Sequence, residues 1–249
     1  MLKKYENVKS VNIDEQSNFI YVEIEKNIEE EQYKFKSKAE AWRIVGGLSE
    51  PGKMPGYGWS IPASECKRGS YLRHTNKNSI CANCYAMKNR YKFKNVQDAQ
   101  YNRLEKFKNP LWVQAMSHLI KETKYFRWFD SGDLQSLRML KKIVEVCNNT
   151  PDTKHWLPTR EHSIVLKYLD MGFKIPDNLC IRMSADEVNI KPVCEIKGCQ
   201  IATVSDKDVN QISNHTCPVS YNKDIKSCKD AGCYSCWNKN IHNITYHIH

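Results

Sequence analysis

The chain has 249 residues, 41% hydrophobic and 27% charged, enough for one full core or two small ones and too apolar for wholesale disorder. Lys and Arg total 38 against 28 Asp and Glu, a formal charge of +10 that suits a polyanionic partner such as nucleic acid, or a solvated lysine-rich surface. Eleven cysteines are more than an ordinary core needs, and their odd number excludes a complete disulfide framework.

In chain order, the alternation of FIYVEIE (19–25) predicts a half-buried strand, followed by an acidic helical stretch ending near Trp42. Residues 1–45 are expected to form an N-terminal appendage. The Gly- and Pro-rich run GGLSEPGKMPGYGWSIPAS (46–64) reads as loop and turns. Helices are predicted over 96–107 and 111–122, then a strand YFRWF (125–129) ending at Asp130-Ser131-Gly132-Asp133. Leu134, Leu137, Leu140, Ile143, Val144 and Cys147 recur at helical spacing. A strand KHWLP (154–158) ends at Thr159-Arg160-Glu161, a helix covers about 162–171, and strands LCIRMS (179–184) and CQIATV (199–204) end at Ala185-Asp186 and Ser205-Asp206. Strand, polar end, helix, strand is the grammar of a parallel α/β sheet or barrel, and four to six such units suit a partial barrel over residues 46–210. In such folds the site lies at the C-terminal ends of the strands.

Two cysteine groups carry the chemistry. Cys66, fourteen residues, then Cys81-Ala-Asn-Cys84 offers three thiolates. Three thiolates leave one iron of a four-iron cluster open, or bind zinc with a distant fourth ligand such as His74; redox or incidental thiols are the bland alternative. Cys217, Cys228, Cys233 and Cys236 lie within twenty residues of a segment (211–249) with few apolar side chains, which needs a metal or covalent centre to fold. Zinc and iron–sulfur both accept four thiolates. Cys147 and Cys180 read as core residues, and Cys194 and Cys199 as an optional extra pair. Among His215, His242, His247 and His249, one can replace a cysteine as ligand, although tail histidines are more often bystanders.

The opening MLKKYENVKSVNIDEQ lacks a charged-then-apolar leader, and no apolar run approaches the ~18 residues of a membrane helix. A cytoplasmic, reducing location without membrane attachment is therefore expected, where metal or cluster ligation is favoured over disulfides.

In order, PGYGWSIPASECKRGS, SICANCYAMKNRYKF, NVQDAQYNRL, FRWFDSGDLQS, HWLPTRE, IRMSAD and the final TCP, CYSCW and ITYHIH make the chain resemble the phage gene product 88 family from about residue 45 onward. The cysteine set also resembles, more distantly, that of radical-SAM-like proteins. That resemblance implies a radical-SAM-type partial α/β barrel in a phage-encoded protein of the host cytoplasm. It also implies a [4Fe-4S] cluster on Cys66, Cys81 and Cys84, an electron donor, and reductive cleavage of S-adenosylmethionine on an unknown substrate. The sequence departs from the radical SAM pattern in the fourteen-residue first gap and in Asn83 before the last cysteine, where an aromatic residue is usual; Tyr85 follows instead. At the strand edge, Asp130, Ser131, Asp133, Gln135, Arg160, Glu161, Ser184 and Asp186 are candidates to hold the cofactor, with helix capping and local ion pairs as alternatives. Tyr57 and Trp59 either shield the cluster or pack in the core. The rival reading is a non-enzymatic module, stapled by zinc or a saturated cluster, that binds nucleic acid through its basic surface.

Overall fold

The computed structural model describes residues 8–14, 19–24, 33–192, 195–206, 213 and 215–248. The chain divides into two compact units, Met1–Lys34 and Phe35–His249. In the smaller unit β1 (Val8–Asp14) pairs antiparallel with β2 (Phe19–Ile24), with an irregularity between Val8 and Ser10. The alternation of residues 19–25 thus marks a strand, while its partner β1 has no comparable sequence signal. The acidic stretch expected to be helical falls largely outside the described residues. Helix α1 (Lys38–Val45) belongs to the larger unit, starts at Ser37, whose hydroxyl accepts from Glu40 N, and stops at Gly46 with φ 78°.

The larger unit is built on one six-stranded, all-parallel sheet: β3 (Gly58–Trp59), β4 (Tyr125–Trp128), β5 (Lys154–Thr159), β6 (Leu179–Ser184), β7 (Gln200–Ser205) and β8 (Asn243–His247). Strand order equals chain order, so every crossover steps the same way. Right-handed crossovers from β3 to β6 then place the connecting helices on one face of the sheet, whereas the described part of the β7–β8 connection lies on the other. These are α3 (Lys94–Lys106), α4 (Trp112–Ile120), α5 (Leu137–Asn149) and α6 (His162–Asp170), with the short α2 (Lys67–Thr75) inside the cysteine loop. Phe126, Trp128, Leu157, Ile181 and Met183 point to the helical side, where Trp112, Met116, Leu140, Ile143 and Val165 meet them. Trp59 packs edge-on against Trp112 with ring centres 5.3 Å apart, so the core reading of this tryptophan holds.

The opposite face carries the alternate residues Tyr125, Arg127, Trp156, Arg182, Ile244 and Tyr246. It is covered by the C-terminal cysteine segment: Trp156, Cys236, Trp237 and Ile244 form a second apolar cluster, and Trp237 Nε1 donates to Phe126 O at 2.8 Å. With both faces covered, all six residues of β6 are buried.

Several expected bounds shift for local reasons. The helix expected from Leu134 begins at Leu137, because the Ser136 hydroxyl accepts from Met139 N and caps it. The two-residue β3 lies in the run that reads as loop, and β8 covers Asn243 and the first four residues of ITYHIH, where the sequence predicts no strand. Both are edge strands, too short or too polar to show their pairing. Cys147 and Cys180 are buried as expected. Among the described residues no helix is long and apolar enough to cross a membrane.

Candidate metal centres at the edge and on the inner face of the sheet

The first cysteine group sits where β3, β4, β5 and β6 end. After β3 the chain makes a short turn, and Cys66 becomes the N-cap of α2, its Sγ accepting from Gly69 N at 3.3 Å. A Cβ placed on Gly69 would lie 2.8 Å from Cys66 Sγ and 3.6 Å from Cys81 Sγ, so both sulfurs converge on the one residue that has no side chain. Cys81 lies in a 3-10 turn capped by the Ser79 hydroxyl, and Ile80 N donates to Asp186 O at 2.8 Å, fixing the turn to the end of β6. Cys84 N donates to Cys81 O, closing the Cys-x-x-Cys turn. Burial pushes the Cys66 thiol up to about 12, reinforced by Asp133, Cys81 and Glu161. Burial also raises Cys81, opposed by the positive charge of Arg160 and reinforced by Cys84. Cys66, Cys81 and Cys84 are therefore one electrostatically coupled set.

The expected cofactor-binding residues arrive at the same edge, several of them already committed to the fold. Asp133 is buried, and its carboxylate accepts from Thr159 Oγ1 (2.6 Å), Leu134 N (2.8 Å) and Arg160 N (2.8 Å), a knot joining the ends of β4 and β5. Burial lifts its pKa to about 6 against those three hydrogen bonds. Asp133 therefore does not cap α5. Glu161 accepts from Arg68 N at 2.9 Å, and Arg68 also pairs with Asp186 at 2.6 Å, so the start of α2 is bound to the ends of β5 and β6. Arg160 donates from Nε to Ala185 O and lies 3.9 Å from Asp186. Gln135 donates to Asp133 O, and its own carbonyl accepts from Lys67. Asp130 accepts from Ser49 and Tyr91, while its carbonyl accepts from the Tyr85 hydroxyl directly after Cys84. Ser184 is buried at the end of β6, and the buried Ser131 hydroxyl has no hydrogen-bond partner among the described residues. His74 is exposed, and its Nδ1 lies 2.7 Å from Ser70 O of its own helix. Tyr57 is packed against the helical-side core.

The second group forms on the face opposite the helices. Cys217 N donates to Thr245 O of β8, Cys228 N to Lys53 O, and Cys233 N to Cys228 O across the turn that Gly232 makes at φ 57°. Burial raises Cys217, Cys228 (to about 11) and Cys236 (to about 12), and neighbouring thiols add to each shift. Those mutual effects link Cys217, Cys228, Cys233 and Cys236 into one set. His215 Nε2 lies 3.8 Å from Cys233 Sγ, and the Tyr246 hydroxyl 3.1 Å from Cys236 Sγ. His242 instead lies 3.7 Å from Glu195, and His247 packs on Tyr221. Cys199 is buried in the helical-side core; Cys194 and His249 fall outside the described residues.

All seven cysteines are free thiols. Among the described residues, no three His, Cys, Asp or Glu side chains are gathered closely enough to hold a metal ion as they stand. The thiols converge, but the sulfurs are not drawn in to ligating distance. The donor chemistry fits a thiophilic centre: four reduced thiols in one segment, and three at a strand edge. A cavity of about 770 Å³ opens at the other end of β4 and β5, lined among others by Tyr125, Lys154, Tyr234, Trp237 and Lys239, remote from the strand-edge set.

A family model described as gene product 88 matches residues 26–237, a span that holds both cysteine groups. The chain belongs to the gene product 88 family. No curated protein and no solved structure matches it. In this gene product 88 protein the residues that sequence patterns did not single out are Gly69, Arg68, Arg127 and Arg182. Three of them left a trace: Gly69 is a glycine inside a helix, and Arg127 and Arg182 are lone arginines in otherwise apolar strands; Arg68, in the polar run after Cys66, left none.

Proposed function

We propose that this gene product 88 protein is an iron–sulfur protein in which Cys66, Cys81 and Cys84 hold a [4Fe-4S] cluster with one iron left open. Cys217, Cys228, Cys233 and Cys236 form a closed second centre of zinc or iron–sulfur. The observation that carries the reading is that Cys66, Cys81 and Cys84 lie at the C-terminal edge of the parallel strands, with the Cys66 and Cys81 sulfurs converging over Gly69 and the Asp133–Arg160 and Arg68–Glu161 hydrogen bonds at the same edge. The sequential strand order supports a partial barrel of the radical-SAM type, because a singly wound sheet is the arrangement that curls into one. A bound cluster would supply a one-electron couple and an open coordination position, the chemistry for reductive cleavage of S-adenosylmethionine with an external electron donor. The chain's own contribution is positional. Arg160 puts positive charge beside Cys81, Arg68 and Glu161 lock the helix that Cys66 caps, and Tyr85 and Tyr91 fasten the loop after Cys84 to Asp130.

One observation favours the rival, non-enzymatic reading. The Asp133 carboxylate, one of the candidates to hold the cofactor, already accepts three hydrogen bonds from the fold. Anaerobic purification with iron, sulfide and zinc counted per chain separates the cases. About three to eight irons and a brown colour are expected; a colourless, zinc-only protein overturns the cluster. A spectroscopic shift of the reduced cluster on adding S-adenosylmethionine supports the enzyme. No shift, together with salt-sensitive binding of DNA or RNA, supports the metal-stapled module.

A further inference from the structure

Arg182 lies in the middle of β6 and is wholly buried. A guanidinium has five N–H donors, and all five are taken by main-chain carbonyls. Nε donates to Cys236 O (3.1 Å), Nη1 to Ile241 O (3.0 Å) and Ile201 O (3.3 Å), and Nη2 to Ser235 O (2.9 Å) and Asn238 O (2.9 Å). Four of those carbonyls belong to residues 235–241, the stretch that carries Cys236. Carbonyls solvate the cation but do not neutralise it, and no carboxylate among the described residues forms an ion pair with it. A guanidinium removed from water without an anion is strongly unfavourable, and its burial calls for negative charge nearby.

A second cation lies on the same face. Arg127 of β4 stacks over the Trp156 ring at 4.5 Å, and its charge acts on Cys228. Arg127 Nε and Trp156 Nε1 are buried donors with no acceptor among the described residues. Asp130 balances part of the Arg127 charge from the strand-edge side. Donors without acceptors, beside four thiols and a cation bonded only to carbonyls, describe a surface shaped for an anion.

We propose that Arg182, assisted by Arg127, is the counter-ion of the C-terminal cysteine centre, holding its segment on the sheet and supplying the positive charge against which an anionic metal–thiolate centre is kept. This rests on the reading that Cys217, Cys228, Cys233 and Cys236 bind a metal, and it adds the sign of the occupant's charge. Four thiolates around zinc, or around an oxidised four-iron cluster, total about −2. Arg182 and Arg127 are thus positioning residues that act through the ligands.

The test uses the full chain carrying Cys66→Ala, Cys81→Ala and Cys84→Ala, so that bound metal reports the C-terminal set alone. Iron and zinc per chain are counted after anaerobic purification, and release to a chelator is timed. Arg182→Gln keeps donors without charge, and about 10- to 100-fold weaker metal retention is expected. Arg182→Lys keeps the charge with fewer donors, and retention clearly closer to the parent chain is expected. Equal loss in the Lys and Gln variants, or no loss in either, overturns the counter-ion role. If circular dichroism shows Arg182→Gln unfolded, Arg127→Gln decides: faster release supports the proposal, and release at the parent rate overturns it. A parent chain with no metal on this set overturns the four-thiolate reading as well, whereas a loaded parent with indifferent variants overturns only the counter-ion role.

Discussion

Gly69 stands three residues after Cys66 on a helix whose first turn the cysteine caps, and two sulfurs crowd the space a side chain would fill. Gly69→Ala is therefore expected to act in two directions. The helix gains up to about 1 kcal/mol in propensity, while the new methyl group presses on Cys66 Sγ. Anaerobic iron counting should show a reduced load at the strand-edge set with helix content unchanged; an unchanged load would show that the sulfurs do not need that approach. His155 makes a second prediction at this scale. It is buried on the helical side, stacks on Trp128, and its Nε2 lies 2.9 Å from Thr150 Oγ1. Burial lowers its pKa from 6.5 to about 3. The unfolded chain thus takes up a proton below pH 6.5 that the folded chain refuses until about pH 3, so this residue's contribution is present above 6.5 and lost as pH falls. Between pH 6 and 4 the wild type should lose up to about 1.4 kcal/mol per pH unit relative to His155→Gln, measured by urea unfolding. Parallel curves for the two proteins would refute it.

The knot around Asp133 shows how elements are held to one another. One carboxylate joins the end of β4 to the end of β5, and Glu161 and Asp186 join α2 to the ends of β5 and β6. Asp133→Ala leaves Thr159 Oγ1, Leu134 N and Arg160 N without their acceptor, and each buried orphan costs about 1–3 kcal/mol. Urea unfolding should register a loss of several kcal/mol; a loss below about 1 kcal/mol would mean that water replaces the carboxylate. Ser136→Ala, which removes only the cap of α5, should cost about 1 kcal/mol by the same measurement, and a neutral result would show the cap to be dispensable. At this scale much was legible. LCIRMS is β6 over the same residues, and the apolar stripe from Leu137 to Cys147 is α5, because burial on defined faces imposes periods of 2 and 3.6. The start of α5 was misplaced because Leu134 continues the apolar stripe although the chain there belongs to the Asp133 knot. β8 was missed because ITYHIH pairs along only one edge, where polar residues are tolerated.

For the molecule as a whole, the C-terminal segment closes the face of the sheet that the helices leave bare, and it does so with few apolar side chains of its own. If a metal centre completes that cover, removing metal with a chelator under reducing conditions should expose residues 222–233 to limited proteolysis while the helical side stays resistant, a pattern readable by mass spectrometry. Equal resistance before and after chelation would show that Trp237, Ile244 and the Arg182 bonds hold the cover alone. The sequence by itself determined the α/β alternation, the polar strand ends and the grouping of cysteines by three and by four, because periodicity and thiol spacing are local properties. Only the tertiary structure decided the sequential all-parallel order, the commitment of Asp133 to the fold, and the meeting of Arg182 with a segment 54 residues away. Those facts depend on which distant surfaces bury one another, and burial is a property of the assembled sheet that no short window of residues contains.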